Sequence, residues 1–418
     1  MTKLSKRPVV LIPSLRAGGG AERQVEILAN AGIFSKVITL ENINEFDIDP
    51  SLVHSLTSHT REQSRLYLTL YIPIYAWKLS SYLKKERHEI VFSVMQRADF
   101  VNIIANIFFK HKAITNTQVH VFTFYRSKTG RLYLKLMQWL FPYADVITSN
   151  SAATLNDLVQ NFSLQDKPKY VLPNFYDLSV IRERAEISIL AEYDLLFQGR
   201  TLLCVGRLTA QKCHWYTLMI FSELKKKHPD ITLIVLNDGD LRSECIRYSR
   251  ELGLSTVSSF DKNEILPGSD VYFLGIQKNP YQFFARCTLS IHPSICEGLP
   301  NALIEARASS AFCVSSDCPS GPREILAPES SITTVTTDFE VLEEGVLVQP
   351  FKNGEPDWSM RKAITSAESS WVAALDVCLS NSDLVESIRK NSVERIERYD
   401  ISRIDDHIEF LGTTSTQT

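Results

Sequence analysis

Hydrophobic residues in this chain fall into short apolar runs separated by longer amphipathic stretches, and the alternation occurs twice. Residues 8–13, 37–40, 90–94, 119–125 and 144–149 are strand-like runs, several of them rich in Val and Ile. Between them, residues 65–86, 98–109 and 130–141 carry apolar positions at helical spacing. Ser149-Asn150-Ser151 supplies the side-chain oxygens that cap a helix running through Leu158. A polar stretch up to Gly199 then reads as a linker with one short helix, after which the series restarts. Its strands are expected at 201–206, 231–236, 271–275, 287–292 and 312–314, with helices through Lys226, over 280–286 and from Ala302 onward. Helices near 371–379 and 383–398 follow, with residues 404–410 after them.

Alternating strands and helices predict an α/β protein of two tandem Rossmann-like domains facing across a cleft, with C-terminal helices. The expected division is 1–185, 186–395, and a segment 396–418 that crosses back to the first domain. The length of 418 residues suffices for two such cores. Hydrophobic and charged fractions of 44% and 22% are those of a globular chain and exclude a disordered or fibrous one. The net charge of −3 hides an asymmetry: residues 1–180 hold 21 Lys and Arg against 14 Asp and Glu, while the remainder holds 24 against 34. Only the first half is therefore suited to an anionic partner.

All eight Cys lie beyond residue 203 with no CxxC pair, which favours reduced thiols over disulfides or a zinc site. The basic start, residues 1–10, runs into a strand and does not read as a signal peptide. The longest apolar candidate, residues 66–77, is too short for a membrane span and contains Thr69 and Pro73. A cytoplasmic location is expected. Residues 65–85 and 128–141 mix Tyr, Trp and Leu with Lys and Arg, a composition that suits either an anionic lipid surface or helices packed on a sheet with solvated charges. Nucleic acid is not expected, because no recognition motif accompanies the basic residues.

Candidate chemistry sits in the loops. Gly18, Gly19 and Gly20 follow the first strand and precede a helical face of Val25, Ile27, Leu28 and Ala31. Such a turn lets backbone N–H groups approach a phosphate, although the spacing is neither GxGxxG nor a P-loop, and a tight turn without a ligand competes with that reading. The stretch from Ser294 to Ala306 reads as strand, loop and helix, with Glu297 in the loop, Pro300 in the first turn and Glu305 on the second. The helix start favours an anion. Two Glu at this separation arise about once by chance in a chain of this composition, so the Gly298-Leu299-Pro300-Asn301 context carries the weight. Arg207 and Lys212 follow the strand at 201–206; a planar fork and a point charge make a plausible diphosphate clamp.

Taken in order, these motifs resemble the family 4 retaining glycosyltransferases, which have the two-domain GT-B fold. The residues that carry the resemblance are Val205-Gly206-Arg207-Leu208 with Lys212, Asn237-Asp238-Gly239-Asp240-Leu241, residues 271–275, the Glu297–Glu305 stretch and Pro319-Ser320-Gly321-Pro322-Arg323-Glu324. Gly18 to Arg23 is similar to the family's N-terminal loop. The likeness covers residues 8–395. The Ser-Gly-Pro-Arg-Glu-Ile form resembles enzymes that extend lipid-linked glycans for surface polysaccharides.

The resemblance implies transfer, with retention, of a hexose or N-acetylhexosamine from a UDP-sugar to a lipid-linked saccharide at the inner membrane face. It implies Arg207 and Lys212 on the diphosphate, Glu297 on donor-sugar hydroxyls and Glu305 on ribose hydroxyls. Gly19, Gly20, Gly206, Asp238, Gly239, Gly298, Leu299, Pro300 and Asn301 would complete the donor site. No cofactor is expected, and no metal, since Asp238-Gly239-Asp240 stands where the family has a nucleotide-side loop. The family's Gly is replaced by Cys213 and Asn237, and a common aromatic by Cys296. Where many members place a His near the donor sugar, this reading puts Arg126, and leaves His120 on a strand in the core. A weakly catalytic nucleotide-sugar-binding subunit or a GT-B epimerase is the alternative.

Overall fold

The computed structural model of the chain describes residues 6–16, 18–60, 70–125, 128–261, 267–352, 354–359 and 364–412. The chain forms two compact units: Met1–Tyr176 with Tyr399–Thr418, and Asp177–Arg398.

In the first unit, β1 (Val9–Ile12), β2 (Lys36–Thr39), β3 (Val53–Ser55), β4 (Ile90–Val94), β5 (Lys112–Thr117), β6 (Val146–Ser149) and β7 (Lys169–Val171) make one sheet in the order β3-β2-β1-β4-β5-β6-β7. Every pairing is parallel. Parallel strands need crossovers, and the helices that supply them must cover both faces, so interior strands such as β1 are buried on both sides and largely apolar. Side chains alternate accordingly. Val9 and Leu11 pack with the helices Ile72–Glu86, Gln96–Phe108 and Lys128–Leu140, while Val10 and Ile12 pack with Val25 and Leu28 of the helix Gly20–Asn30. The latter face is completed by the returning C-terminal segment: Ile404, Ile408, Phe410 and Leu411 join that core. Lys112 Nζ donates to Phe410 O at 2.6 Å, and Tyr176 N to Tyr399 O at 2.9 Å.

Two expectations need correction here. The strand expected over 119–125 is a loop and a short helix, Val121–Phe124; the strand is β5, seven residues earlier. Its sequence, Lys-Ala-Ile-Thr-Asn-Thr, lacks an apolar run, yet all six residues are buried. The domain boundary falls after Tyr176 rather than at 185, because the helix Leu178–Glu186 packs with the second unit: Asn279 Nδ2 donates to Arg184 O at 2.8 Å. Asp177 caps that helix, accepting from Val180 N at 3.1 Å. Elsewhere Ser151 Oγ accepts from Thr154 N at 3.2 Å, as its position in the sequence implies.

The second unit has β8 (Thr201–Val205), β9 (Thr232–Leu236), β10 (Thr256–Ser258), β11 (Val271–Gly275), β12 (Leu289–His292), β13 (Cys313–Ser316), β14 (Phe339–Leu342) and β15 (Gly345–Val348). Their order is β10-β11-β9-β8-β12-β13-β15-β14, parallel except for the β14–β15 hairpin. Strand order reverses between β8 and β12, which are direct neighbours, with Leu202 opposite Leu289. A crevice for a ligand opens at such a switch point, outside the carboxyl ends of the two strands. All eight Cys are buried and none is in a disulfide. Among the described residues no helix is long and apolar enough to cross a membrane.

Two buried features test this packing. Arg307 and Glu344, both without exposed surface, pair at 3.3 Å beneath the helix Asn301–Ala308, with Arg395 and Arg398 at 3.8 and 3.7 Å from the same carboxylate. Removing one partner strands buried charge, so Glu344→Ala is expected to lower the unfolding free energy by about 3–5 kcal/mol, read by denaturant titration.

His214, at the start of the helix His214–Lys227, and His292, at the end of β12, are both buried. Burial and the nearby Lys212 push each imidazole down to about 3. Above pH 6.5 neither ring titrates in either state and they contribute no slope. Below it the unfolded chain takes protons that the folded chain refuses until about pH 3. Stability should therefore fall with pH by ~1.4 kcal/mol per unit for each ring, and His214→Asn should remove one ring's share of the slope measured by denaturation across pH 6.5 to 4.

Candidate functional site

The loop that leaves β8 begins at Gly206, whose N–H donates to Leu236 O at 3.3 Å, and its path is held by the loop after β9: Leu208 N donates to Asp238 O at 3.1 Å, and Leu241 N to Leu208 O at 2.9 Å. The approach is so close that a Cβ on Gly239 would lie 2.5 Å from Leu208 O, which makes glycine obligatory there. Ala210–Lys212 is one turn of 3₁₀ helix, and Cys213 follows in the left-handed conformation, φ 55°, before the helix His214–Lys227. Asn237 is also left-handed, with φ 101°. Both positions where the family has glycine thus carry positive φ here. Asp238 is committed locally: its carboxylate accepts from Arg242 at 2.8 and 2.9 Å and from Gly239 N at 2.7 Å. Among the described residues no cluster of His, Cys, Asp and Glu has the arrangement to hold a metal ion.

The loop that leaves β12 brings Glu297 to the first loop. Lys212 Nζ lies 2.5 Å from Glu297 Oε1, both side chains largely out of solvent. Gln211 adds further links: its side-chain amide donates to Cys296 O at 2.8 Å and reaches Glu297 Oε2 at 3.5 Å, and its carbonyl accepts from Ile295 N at 3.1 Å. Glu297 N donates to Pro319 O at 2.8 Å, and Ser320 Oγ donates to Glu297 O and Gly298 O at 3.2 and 3.1 Å. Gly321, φ 91°, packs directly on Gly298 O, leaving no room for a side chain. Pro300 is the N-cap of the helix Asn301–Ala308 rather than a residue of its first turn. Leu299 is buried, and so is Glu305, at 6% exposure. A solvated helix glutamate is excluded.

Lys212, Glu297 and Pro300 line one recess with the neutral rings of His214 and His292. Both ring nitrogens of His214 are buried with no hydrogen-bond partner among the described residues. Arg207 stands exposed one residue past Gly206, in no ion pair among the described residues.

In the first unit, Gly18 has φ 87° and Gly19 caps the helix Gly20–Asn30. The Glu22 carboxylate folds over Gly19, so the space against that backbone holds an acidic group of the chain itself. Arg126 lies outside the described residues. Its selection assumed a strand over 119–125; with β5 ending at Thr117, the loop at the strand's carboxyl end instead presents His120. His120 is not a core strand residue. Its Nδ1 is 3.0 Å from Thr123 Oγ1 and its Nε2 3.6 Å from Asp157 Oδ1. The polar strand β5 hid this residue from the sequence reading.

Residues 199–351 match the model of the glycosyl transferases group 1, and residues 18–180 that of glycosyltransferase family 4. An uncharacterized glycosyltransferase of Methanocaldococcus jannaschii is 28% identical over 279 residues, 65% of this chain and 65% of that protein, just under two thirds of its length. The N-acetylgalactosamine-N,N'-diacetylbacillosaminyl-diphospho-undecaprenol 4-alpha-N-acetylgalactosaminyltransferase of Campylobacter jejuni is 27% identical over 86% of this chain and 93% of its own. Among solved structures, Anabaena HepE in complex with UDP and glucose superposes with a TM-score of 0.69 at 16% identity, covering 98% of this chain and 100% of that one, which shows a shared fold. Two Rossmann-like units, a switch-point crevice that joins Lys212 to Glu297, and family models that together span most of the chain lead to one conclusion: this protein belongs to glycosyltransferase family 4.

Proposed function

We propose that the chain transfers a hexose or N-acetylhexosamine from a UDP-sugar to a lipid-linked saccharide in surface-polysaccharide synthesis, with retention of configuration and without a metal. The observation that carries this reading is the Lys212–Glu297 pair at 2.5 Å in the β8/β12 crevice. As the glycosidic bond breaks, the nucleoside diphosphate gains negative charge, and a cation placed there in advance stabilises it without reorganisation. Lys212 supplies that charge and Arg207, exposed on the same loop, a second one. Glu297, released from Lys212, accepts hydrogen bonds from donor-sugar hydroxyls, and Glu305 from the ribose. Gly206, Asp238, Gly239, Gly298, Leu299, Pro300 and Asn301 form the surrounding loops of the second unit. A donor phosphate oxygen accepts the acceptor's proton during same-face attack. The name of the Campylobacter relative, which specifies a diphospho-undecaprenol saccharide, supports the acceptor class, and the UDP complex of HepE supports the nucleotide.

A peripheral site of action on the inner membrane face fits the surface of the first unit. Trp77 and Trp139 are 59% and 65% exposed, on helices that also carry Lys84, Lys85, Arg131 and Lys135.

Purified protein should release UDP from a UDP-sugar in the presence of lipid-linked saccharide acceptor. Lys212→Ala and Glu297→Gln should each lower that rate on the order of 100-fold. Absence of both nucleotide binding and release in the wild type would overturn the reading, and a product of inverted configuration would overturn retention. In a separate measurement, the protein should sediment with vesicles containing anionic lipid at low salt and not with neutral ones, and Trp77→Ala with Trp139→Ala should weaken that binding. A protein that stays in the supernatant in every case rules out membrane docking.

A further inference from the structure

In the donor complex each partner of the Lys212–Glu297 pair has a second group to serve. Under the reading above, the diphosphate draws the ammonium away, and Glu297 then loses the cation that balances a carboxylate of 7% exposure. A buried anion that loses its cation is strongly disfavoured, so another donor beside it is needed. Gln211 is in place to do so. Its amide nitrogen carries two hydrogens: one is bonded to Cys296 O at 2.8 Å, and the other side of the same group reaches Glu297 Oε2, the oxygen Lys212 does not contact, at 3.5 Å. The Gln211 carbonyl also accepts from Ile295 N at 3.1 Å. One residue therefore fixes the main chain on the N-terminal side of Glu297 at two points and addresses its carboxylate at a third.

We propose that Gln211 is a positioning residue for donor-sugar recognition: its side-chain amide holds Glu297 in register when Lys212 turns to the diphosphate. The proposal rests on the donor-site reading above. It also accounts for Cys296, where an aromatic residue is common in the family: the atom in use is the backbone carbonyl, which any residue supplies. The contact with Glu297 Oε2 shortens in the donor complex as the Lys212 bond to Oε1 is lost. A neutral amide suits this role, because it serves the carboxylate without competing for the diphosphate.

The test compares two probes by calorimetry: UDP, which has no sugar, and whichever of UDP-glucose, UDP-galactose, UDP-GlcNAc and UDP-GalNAc the wild type binds most tightly. Gln211→Met keeps length and packing and removes the donor hydrogens; Gln211→Ala removes the whole group. Both variants should bind UDP within about twofold of wild type and bind the UDP-sugar about tenfold more weakly, with KM for the donor raised to match and an unchanged denaturation midpoint. Equal loss for UDP and the UDP-sugar, or a lowered midpoint for both variants, would make Gln211 a structural residue and overturn the proposal. No loss for either probe would overturn it as well. A wild type that binds neither UDP nor any UDP-sugar would sink the donor-site reading itself, and this inference with it.

Discussion

Everything in the second unit's crevice is arranged around a single pair of opposite charges, Lys212 and Glu297, on loops that leave adjacent strands. Taken alone, either group would be expensive at this depth: withdrawing one ion from water costs several kcal/mol after relaxation. Together they neutralise each other, and each loop fixes the other's position. The arrangement depends on topology before it depends on side chains. Only where strand order reverses do two consecutive carboxyl ends diverge enough to leave space between their loops, and β8 and β12 flank that point.

The surroundings of the pair show how neighbouring motif residues hold its loops in place. Pro319, Ser320 and Gly321 bind the backbone on both sides of Glu297, and Gly321 leaves no room for a side chain against Gly298. Arg323 anchors that segment, with bonds to Asp317 at 3.0 and 2.5 Å and to Glu340 at 3.1 Å. Beneath the helix that carries Glu305, Arg307 meets Glu344. Such buried pairs add little net stability against an apolar alternative, but they hold loops in one geometry. Their service to the site is rigidity, the condition under which a cation can stabilise developing charge without first moving.

How legible this was in the sequence differed by element. Strands of mostly apolar residues, β1, β4, β8, β9 and β11, could be read with small errors at the ends, since burial on both faces leaves that pattern. β5 could not, because Lys112, Thr115, Asn116 and Thr117 are polar yet buried at the centre of the sheet; Lys112, for one, is satisfied by Phe410 O, some 298 residues away. No local window contains that partner. The error then propagated: with the strand misplaced, Arg126 was put at its end, and His120 was assigned to the core. The charges of the second unit were found by their motifs, but their pairing depends on the contact between β8 and β12, which spacing along the chain does not encode. The edge hairpin β14–β15 went unread because its outer strand is half-exposed and polar at Glu340.

The substitutions of family glycines at 213 and 237 illustrate how a site tolerates change. Both residues adopt positive φ, at 55° and 101°, so the backbone follows the path glycine would take. An L-residue in that region costs about 1–2 kcal/mol, less for Asn, whose short side chain bonds locally; Asn237 Oδ1 accepts from Asp238 N at 2.8 Å. Cys213 offsets its strain by burial, with Sγ 3.3 Å from Ala210 O. The chain therefore absorbs the strain locally rather than altering the turn that aims Lys212. What the crevice requires is a backbone course and a charge at its end. Glycine is one way to obtain the first, and Lys212 carries the second.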